Sequence, residues 1–231
     1  VRATFEYAPG IVSYTVTSEA TIAEVDSGGA SASRVFREVA RVVLTIVRAN
    51  GNALVTTTGS IDEGQPSIMA PFVDTLRIDG TGSIPEPGMP ICGRDTVPPA
   101  HLVTLLPPVP LELREGLRWE RRNVYATCQG KIPIRVERTD SYIVTGSARQ
   151  VPGGGVTVAR NSSLKYAGAG VEGQHNVRIS GSGSAQATLV LDASAGRLVS
   201  AGEEINSEID IAASGRIQRF TQHVVRTISQ R

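Results

Sequence analysis

The chain has 231 residues, 40% hydrophobic and 19% charged, with a formal net charge of +1. That length supports one large β-domain or two small ones with a real core, and the charge balance argues against nucleic acid as the main partner, because phosphate binding needs a strong basic excess or a dense basic stripe. No run of about 18 apolar residues is present, so nothing in the sequence reads as a membrane-spanning helix. The first residue is Val1 rather than Met, and the expectation is a leader removed before it.

Taken in chain order, residues 4–7 read as a short strand stopped by Pro9-Gly10. Residues 11–25 alternate Val12, Tyr14 and Val16 with Ser13, Thr15 and Thr17, the period of two that marks a half-buried strand. Residues 34–48 fit two templates. Val35/Phe36, Val39/Ala40, Val42/Val43 and Ile46/Val47 recur at helical spacing, with Ser33 placed as an N-cap. The same stretch is dense in β-branched residues and runs into Asn50-Gly51, then Ala53, Val55 and Thr57, the pattern of a tight hairpin. Strand is the favoured reading; helix is the alternative.

Residues 83–110 hold eight of the 13 prolines. Proline lacks the donor a central strand requires, so this is an irregular crossover between an N-terminal β half (1–83) and a C-terminal β half (116–231), with 84–115 as the connection. Its apolar residues Leu102, Val103, Leu105, Leu106 and Val109 need cover. The expectation is an ordered segment that offers them to a protein partner.

The C-terminal half reads as strands over 117–127, 134–145, 156–166 and 217–228, with Gly153-Gly154-Gly155, Gly168-Ala169-Gly170 and Ser214-Gly215 as punctuation. Between them lies the clearest pattern in the chain. Val177, Ile179, Ala185, Ala187, Leu189 and Leu191 alternate with Arg178, Ser180, Ser184, Gln186 and Thr188. After the turn from Asp192 to Gly196, Ile205, Ile209 and Ile211 alternate with Glu204, Asn206, Glu208 and Asp210. This is a long antiparallel hairpin, one face buried and one wet. A weak internal repeat is also legible, each half opening with a short aromatic-bearing segment near a glycine and then running a long hairpin.

Chemistry is sparse. His101, His175 and His223 stand apart from one another, with no metal-ligand spacing. There is no Gly-x-Ser-x-Gly elbow. Gly181-Ser182-Gly183-Ser184 resembles a phosphate loop only in composition; small residues there are expected where the sheet bends or another backbone approaches. Glu203, Glu204, Glu208 and Asp210 form an acidic run, and Glu204, Glu208 and Asp210 share a strand face. A calcium site on those three is the one metal candidate, weighed against a solvated strand face. Trp119, the single tryptophan, reads as a core anchor. No cofactor and no catalytic residue is expected.

The two cysteines, Cys92 and Cys128, are expected to be bonded, because the count is even and the Pro-rich segment needs tethering. The residues Pro107-Pro108-Val109-Pro110, Leu113, Gly116 and Trp119, together with Gly181-x-Gly183, Ala187-x-Leu189-x-Leu191-Asp192 and Gly196-Arg197-Leu198, resemble an uncharacterised family of secreted bacterial β-proteins, many of them lipoproteins. The resemblance covers residues 5–25 and 105–231 and implies an envelope or extracellular setting without a known activity. Residues 84–100, with Cys92, depart from the family's pattern.

The fold expected is mainly β: long antiparallel strands curled into one or two half-barrels or a sandwich, with at most one helix. The function expected is non-enzymatic: an extracytoplasmic structural, scaffolding or accessory subunit that binds another protein or itself through a sheet edge and the Pro-rich segment. A carrier of an apolar ligand in a half-barrel is the alternative, and an enzyme of unknown class a third. A carrier should leave its inner face unfilled by side chains; a structural subunit should show a closed core and a long interface.

Overall fold

A computed structural model describes residues 2–25, 33–49, 52–62, 72–78, 92, 103–129, 131–149, 151 and 155–231. The chain is mainly β, as its periodicity predicts. Its strands are β1 (Arg2–Thr4), β2 (Gly10–Val25), β3 (Ser33–Ala49), β4 (Asn52–Asp62), β5 (Phe72–Ile78), β6 (Glu112–Arg114), β7 (Arg118–Gln129), β8 (Ile132–Ser147), β9 (Gly155–Glu172), β10 (His175–Asp192), β11 (Arg197–Ala213) and β12 (Arg216–Gln230). The helical element among the described residues is one turn at 103–105.

Ten strands form one antiparallel sheet in the order β5-β4-β3-β2-β12-β11-β10-β9-β8-β7. The chain starts near the middle at β2 and winds outward to β5. It then crosses to the opposite edge at β7 and winds back until β12 pairs with β2, Thr227 opposite Thr17. Both halves of the chain therefore contribute to one continuous open sheet rather than two. Residues 34–48 lie in β3, antiparallel to β2 and β4, and Ala49 faces Asn52 across the expected tight connection. The β-branched content outweighs the helical spacing because both neighbouring strands bond this segment.

Two expectations are corrected. The first strand stops at Thr4 rather than running to Tyr7. Beyond it, the Phe5 amide donates to the Leu111 carbonyl at 2.8 Å and the Tyr7 hydroxyl to the Pro107 carbonyl at 2.6 Å. Residues 167–170 do not end a strand, because β9 runs through them to Glu172. A Cβ on Gly168 would lie 2.7 Å from the Pro133 carbonyl oxygen, so glycine here admits close approach of β8 instead of making a turn. The same holds at Gly183, where a Cβ would meet the Asn206 carbonyl and the Ser207 hydroxyl of β11, both at 2.6 Å. The close approach of another backbone expected at these glycines is present.

The described end of the Pro-rich crossover, residues 103–115, lies against one face of the sheet, called here the inner face. A strap of residues 103–111 is pinned by backbone carbonyls that proline leaves free to accept. Tyr7 reaches Pro107, and Trp119 Nε1 donates to the Pro108 carbonyl at 2.9 Å while its ring stacks on Tyr142 at 4.9 Å. Trp119 thus anchors strap to sheet. The turn between β10 and β11 closes as Asp192 Oδ1 accepts from Ser194 Oγ (2.6 Å) and the Ala195 amide (2.9 Å), with Gly196 at φ 58°. Cys92 and Cys128 are bonded, with Cα atoms 5.7 Å apart, which ties the crossover to the edge strand β7.

Candidate functional site

Inner-face positions follow the alternation of each strand, and most of them are apolar. One apolar cluster gathers Tyr14, Val16, Leu44, Ile46, Leu105, Leu106, Tyr142, Val144, Val158, Leu189 and Ile228. A second gathers Val103, Tyr125, Ile134, Val136, Leu164 and Ile179. Between them runs a belt of buried polar and charged side chains, of which the sequence reading named Glu203 alone, as part of an acidic run.

The belt follows the cross-strand register. Asn123 faces Arg138; Asp140 faces Ser162; Tyr142, Arg160, Ala187, Glu203, Arg226 and Ser18 stand in line from β8 to β2. Glu203 is the hub. Its Oε1 accepts from Arg138 Nη2 at 2.9 Å and Arg160 Nη2 at 2.5 Å; its Oε2 accepts from Arg226 Nη1 at 2.9 Å and Thr104 Oγ1 at 3.3 Å. Asp140 is the second anion. Its Oδ1 accepts from Arg138 Nε at 2.7 Å and Ser162 Oγ at 2.5 Å, and its Oδ2 from Asn123 Nδ2 at 3.0 Å. Arg160 and Arg138 reach Glu203 by crossing β10, where the inner residues are Ala185 and Ala187. Arg160 on β9 spans two strand spacings, about 9.6 Å, and Arg138 on β8, which crosses β9 as well, spans three, about 14 Å; only long side chains over small ones bridge such distances.

Arg138, Arg160, Asp140 and Glu203 are at most 3% exposed. Burial alone would raise the Glu203 carboxyl, but Arg160, Arg138 and Arg226 hold it at about 2, far below the ordinary 4.5. Burial works against the charge on Arg138, yet Glu203 and Asp140 hold its pKa above the ordinary arginine value. Three guanidinium groups face two carboxylates, and the surplus falls on Arg160, whose Nε and Nη1 have no hydrogen-bond partner among the described residues. A buried, paired network of this kind specifies an arrangement more than it adds stability. Here it fixes the strap: Val103 sits in the second cluster, Thr104 on the belt, Leu105 and Leu106 in the first cluster.

The apolar strap residues expected to meet a partner are therefore used by the chain itself. Val103, Leu105, Leu106 and Val109 are buried in its own core, so the partner-binding assignment is corrected for these four; Leu102 lies outside the described residues.

The calcium candidate is corrected too. Glu204, Glu208 and Asp210 lie on the opposite, outer face along an extended strand, so Glu204 and Glu208 are about 13 Å apart by backbone spacing. That is too far for ligands of one ion. Asp210 is paired with Arg219 at 2.8 Å and Glu204 approaches His223 at 3.7 Å. Among the described residues no group of three His, Cys, Asp or Glu side chains could hold a metal. An open trough of about 520 Å³ lies on this face, lined by Arg135, Lys165, Ser182, Glu208, Asp210 and Arg219.

Beyond the belt, toward the β11–β12 turn, the inner face stays apolar but emerges from cover. Ile134, Leu164 and Ile179 are buried; Ile205, Ile209, Phe220 and Ile22 are half-buried; Phe36 on β3 is 52% exposed. Register places Ile209 beside Phe220, Ile205 beside Val224, Val224 beside Ala20, and Ala20 beside Phe36. Polar side chains lie among them, Ser207 between Ile205 and Ile209, Gln222 between Phe220 and Val224, and Glu24 beside Phe220, and the open end of this surface lies on β12, β2 and β3.

No helix among the described residues is long and apolar enough to cross a membrane. No protein-family model matches the chain, and no curated protein matches it. Among solved structures, one described as "Asymmetric conductivity of engineered proteins" is similar at 7% identity over 95% of this chain and 99% of that chain, with a TM-score of 0.25. A mutant of Rh. blastica porin is similar at 6% identity over 96% of this chain and 99% of that chain, with a TM-score of 0.22. At those scores neither likeness bears on the fold or the function.

Proposed function

We propose that this chain is a non-enzymatic extracytoplasmic binding protein, an open sheet that seats an apolar partner on the uncovered end of its inner face. The observation that carries this reading is the gradient of exposure from buried Leu164 through half-buried Ile209 and Phe220 to Phe36 at 52%. Large apolar side chains left open beside a closed core are costly in water and mark a contact. Cover runs past the belt over Ile134, Leu164 and Ile179, which are buried, and thins toward β12, β2 and β3. The Cys92–Cys128 disulfide supports an oxidising compartment, in keeping with the resemblance to secreted bacterial β-proteins.

The test is saturable binding of a neutral apolar dye such as Nile red. Binding of one dye per chain, abolished by Phe36→Asp with the far-ultraviolet circular dichroism unchanged, supports the reading. Dye binding that is absent, or indifferent to Phe36→Asp, removes it.

A second reading, an accessory or scaffolding subunit, draws on the edge strand β7. Its 12 residues pair with β8 on one side, and no described strand pairs with the other. Such an edge accepts an added strand, although Arg118, Glu120, Arg121 and Arg122 guard it in the way sheet edges are commonly protected. Cross-linking from β7 to a co-purified protein would favour this reading over the first.

A further inference from the structure

We propose that the exposed start of β7 takes an added strand of acidic character, an extended protein segment with two carboxylate side chains three positions apart. The inference rests on the second reading above, an edge that accepts a strand, and adds the chemistry of that strand. It is independent of the apolar seat.

β7 divides at Asn123. Arg118, Glu120, Arg121 and Arg122 are exposed and Trp119 is half-buried, whereas Asn123, Tyr125 and Ala126 are buried. The disulfide holds the crossover at Cys128, near the other end of the strand. The Val144 amide donates to the Leu117 carbonyl at 3.0 Å. Alternate residues of an antiparallel strand bond the same neighbour, so Trp119, Arg121 and Asn123 bond β8 opposite Tyr142, Asp140 and Arg138. Arg118, Glu120 and Arg122 therefore turn their amides and carbonyls to the open side, where no described strand takes them.

The side chains set the charge. Glu120 accepts from Ser141 Oγ at 3.0 Å, and Glu137 pairs with Arg122 at 2.8 Å and Arg135 at 3.5 Å. Asp140, opposite Arg121, is occupied by Arg138, Ser162 and Asn123, and Glu115 in the turn before β7 is engaged as well. Arg118 and Arg121 form no ion pair among the described residues. They lie three positions, about 10 Å, apart along the strand, Arg118 on the outer face and Arg121 on the inner face with Trp119. An added antiparallel strand sets one of its residues opposite each. Acids three positions apart in an extended segment fall on opposite faces in the same way, so each meets its own arginine. The residue between them that lies opposite Trp119 covers the indole. Edge charges that repel most strands admit one of matching charge.

The probe is a nine-residue Thr/Val peptide carrying two Asp three positions apart, compared with the same peptide carrying Asn or Lys at those positions. Binding is read from the emission of Trp119, the single tryptophan, and from amide exchange at residues 118–122. Wild type should bind the Asp peptide about tenfold tighter than the Asn peptide and the Lys peptide more weakly still, with the gap narrowing as salt is raised. Arg118→Glu/Arg121→Glu should reverse the order. Equal binding of the Asp and Asn peptides by wild type would overturn the acidic character and leave the edge reading standing. Failure of every peptide to bind, or protection that falls outside residues 118–122, would overturn this inference and the edge reading together. Concentration-dependent protection of residues 118–122 without peptide would overturn it in favour of a second copy of this chain.

Discussion

Thr104 Oγ1 donates to Glu203 Oε2 at 3.3 Å across 99 positions of sequence, joining the Pro-rich strap to β11. Thr104 is fully buried between Val103 and Leu105, which pack into different apolar clusters. The contact thus sets which residue of the strap sits on the belt. A slip by one position would put a leucine or a valine against a buried carboxylate.

Thr104→Val keeps the shape and removes the donor. The expected cost is about 1–2 kcal/mol, read as a lower denaturant midpoint with an unchanged slope. A cost near zero would show that the three arginines alone fix Glu203.

Glu203 makes stability depend on acid. Its folded value of about 2 lies below the ordinary 4.5, so its contribution is complete above about pH 4.5 and is lost as pH falls through about 2. Wild type should therefore lose unfolding free energy steeply between those limits. Glu203→Gln, which strands three buried guanidinium groups, should cost about 3–5 kcal/mol at pH 7 and show a flatter profile in the same window. Parallel wild-type and variant profiles would contradict the hub assignment.

The two arginines that cross β10 should differ. Arg138 donates to Asp140, Ser162 and Glu203, whereas Arg160 donates to Glu203 and leaves Nε and Nη1 without hydrogen bonds. Arg160→Met removes the surplus charge and its unsatisfied donors, so it should cost less than Arg138→Met. Urea unfolding of the pair checks the order, and the reverse order would mean that Arg160 has partners outside the described residues.

These charges were hidden in the sequence for a physical reason. Arg138 and Asp140 share the alternation of Val136 and Tyr142; Arg160 shares that of Val158, and Arg226 that of Val224 and Ile228. Alternation alone marks them as inward, and Glu203 likewise sits with Ile205 rather than with Glu204. What sequence does not show is that five inward charges on four strands meet, because the register between strands is set by turns and long-range pairing. Ala185 and Ala187 carried a hint, since small inner residues leave room for a neighbour's long side chain. The strands of the C-terminal half, the β3 hairpin and the disulfide were legible because period, turn chemistry and cysteine count are local. The fate of the strap leucines was not, because burial under a crossover depends on where the crossover runs.

The disulfide closes a loop of 36 positions. Cys92→Ser/Cys128→Ser should lower stability by about 4 kcal/mol in the loop-entropy view and should expose the crossover to limited proteolysis while leaving the sheet intact. Cleavage within the sheet at the same rate as in the crossover would contradict a local tethering role.

The most direct test of the central claim, that the inner face beyond the belt is the binding seat, is the emission of a Phe36→Trp variant. Trp119 is stacked on Tyr142 and hydrogen-bonded to Pro108, so it supplies a fixed background. The new tryptophan should emit as a solvent-exposed residue, then shift to the blue and lose acrylamide quenching as a neutral apolar ligand such as hexadecanol is added to saturation. An unchanged spectrum while that ligand binds stoichiometrically would place the seat elsewhere and contradict the account.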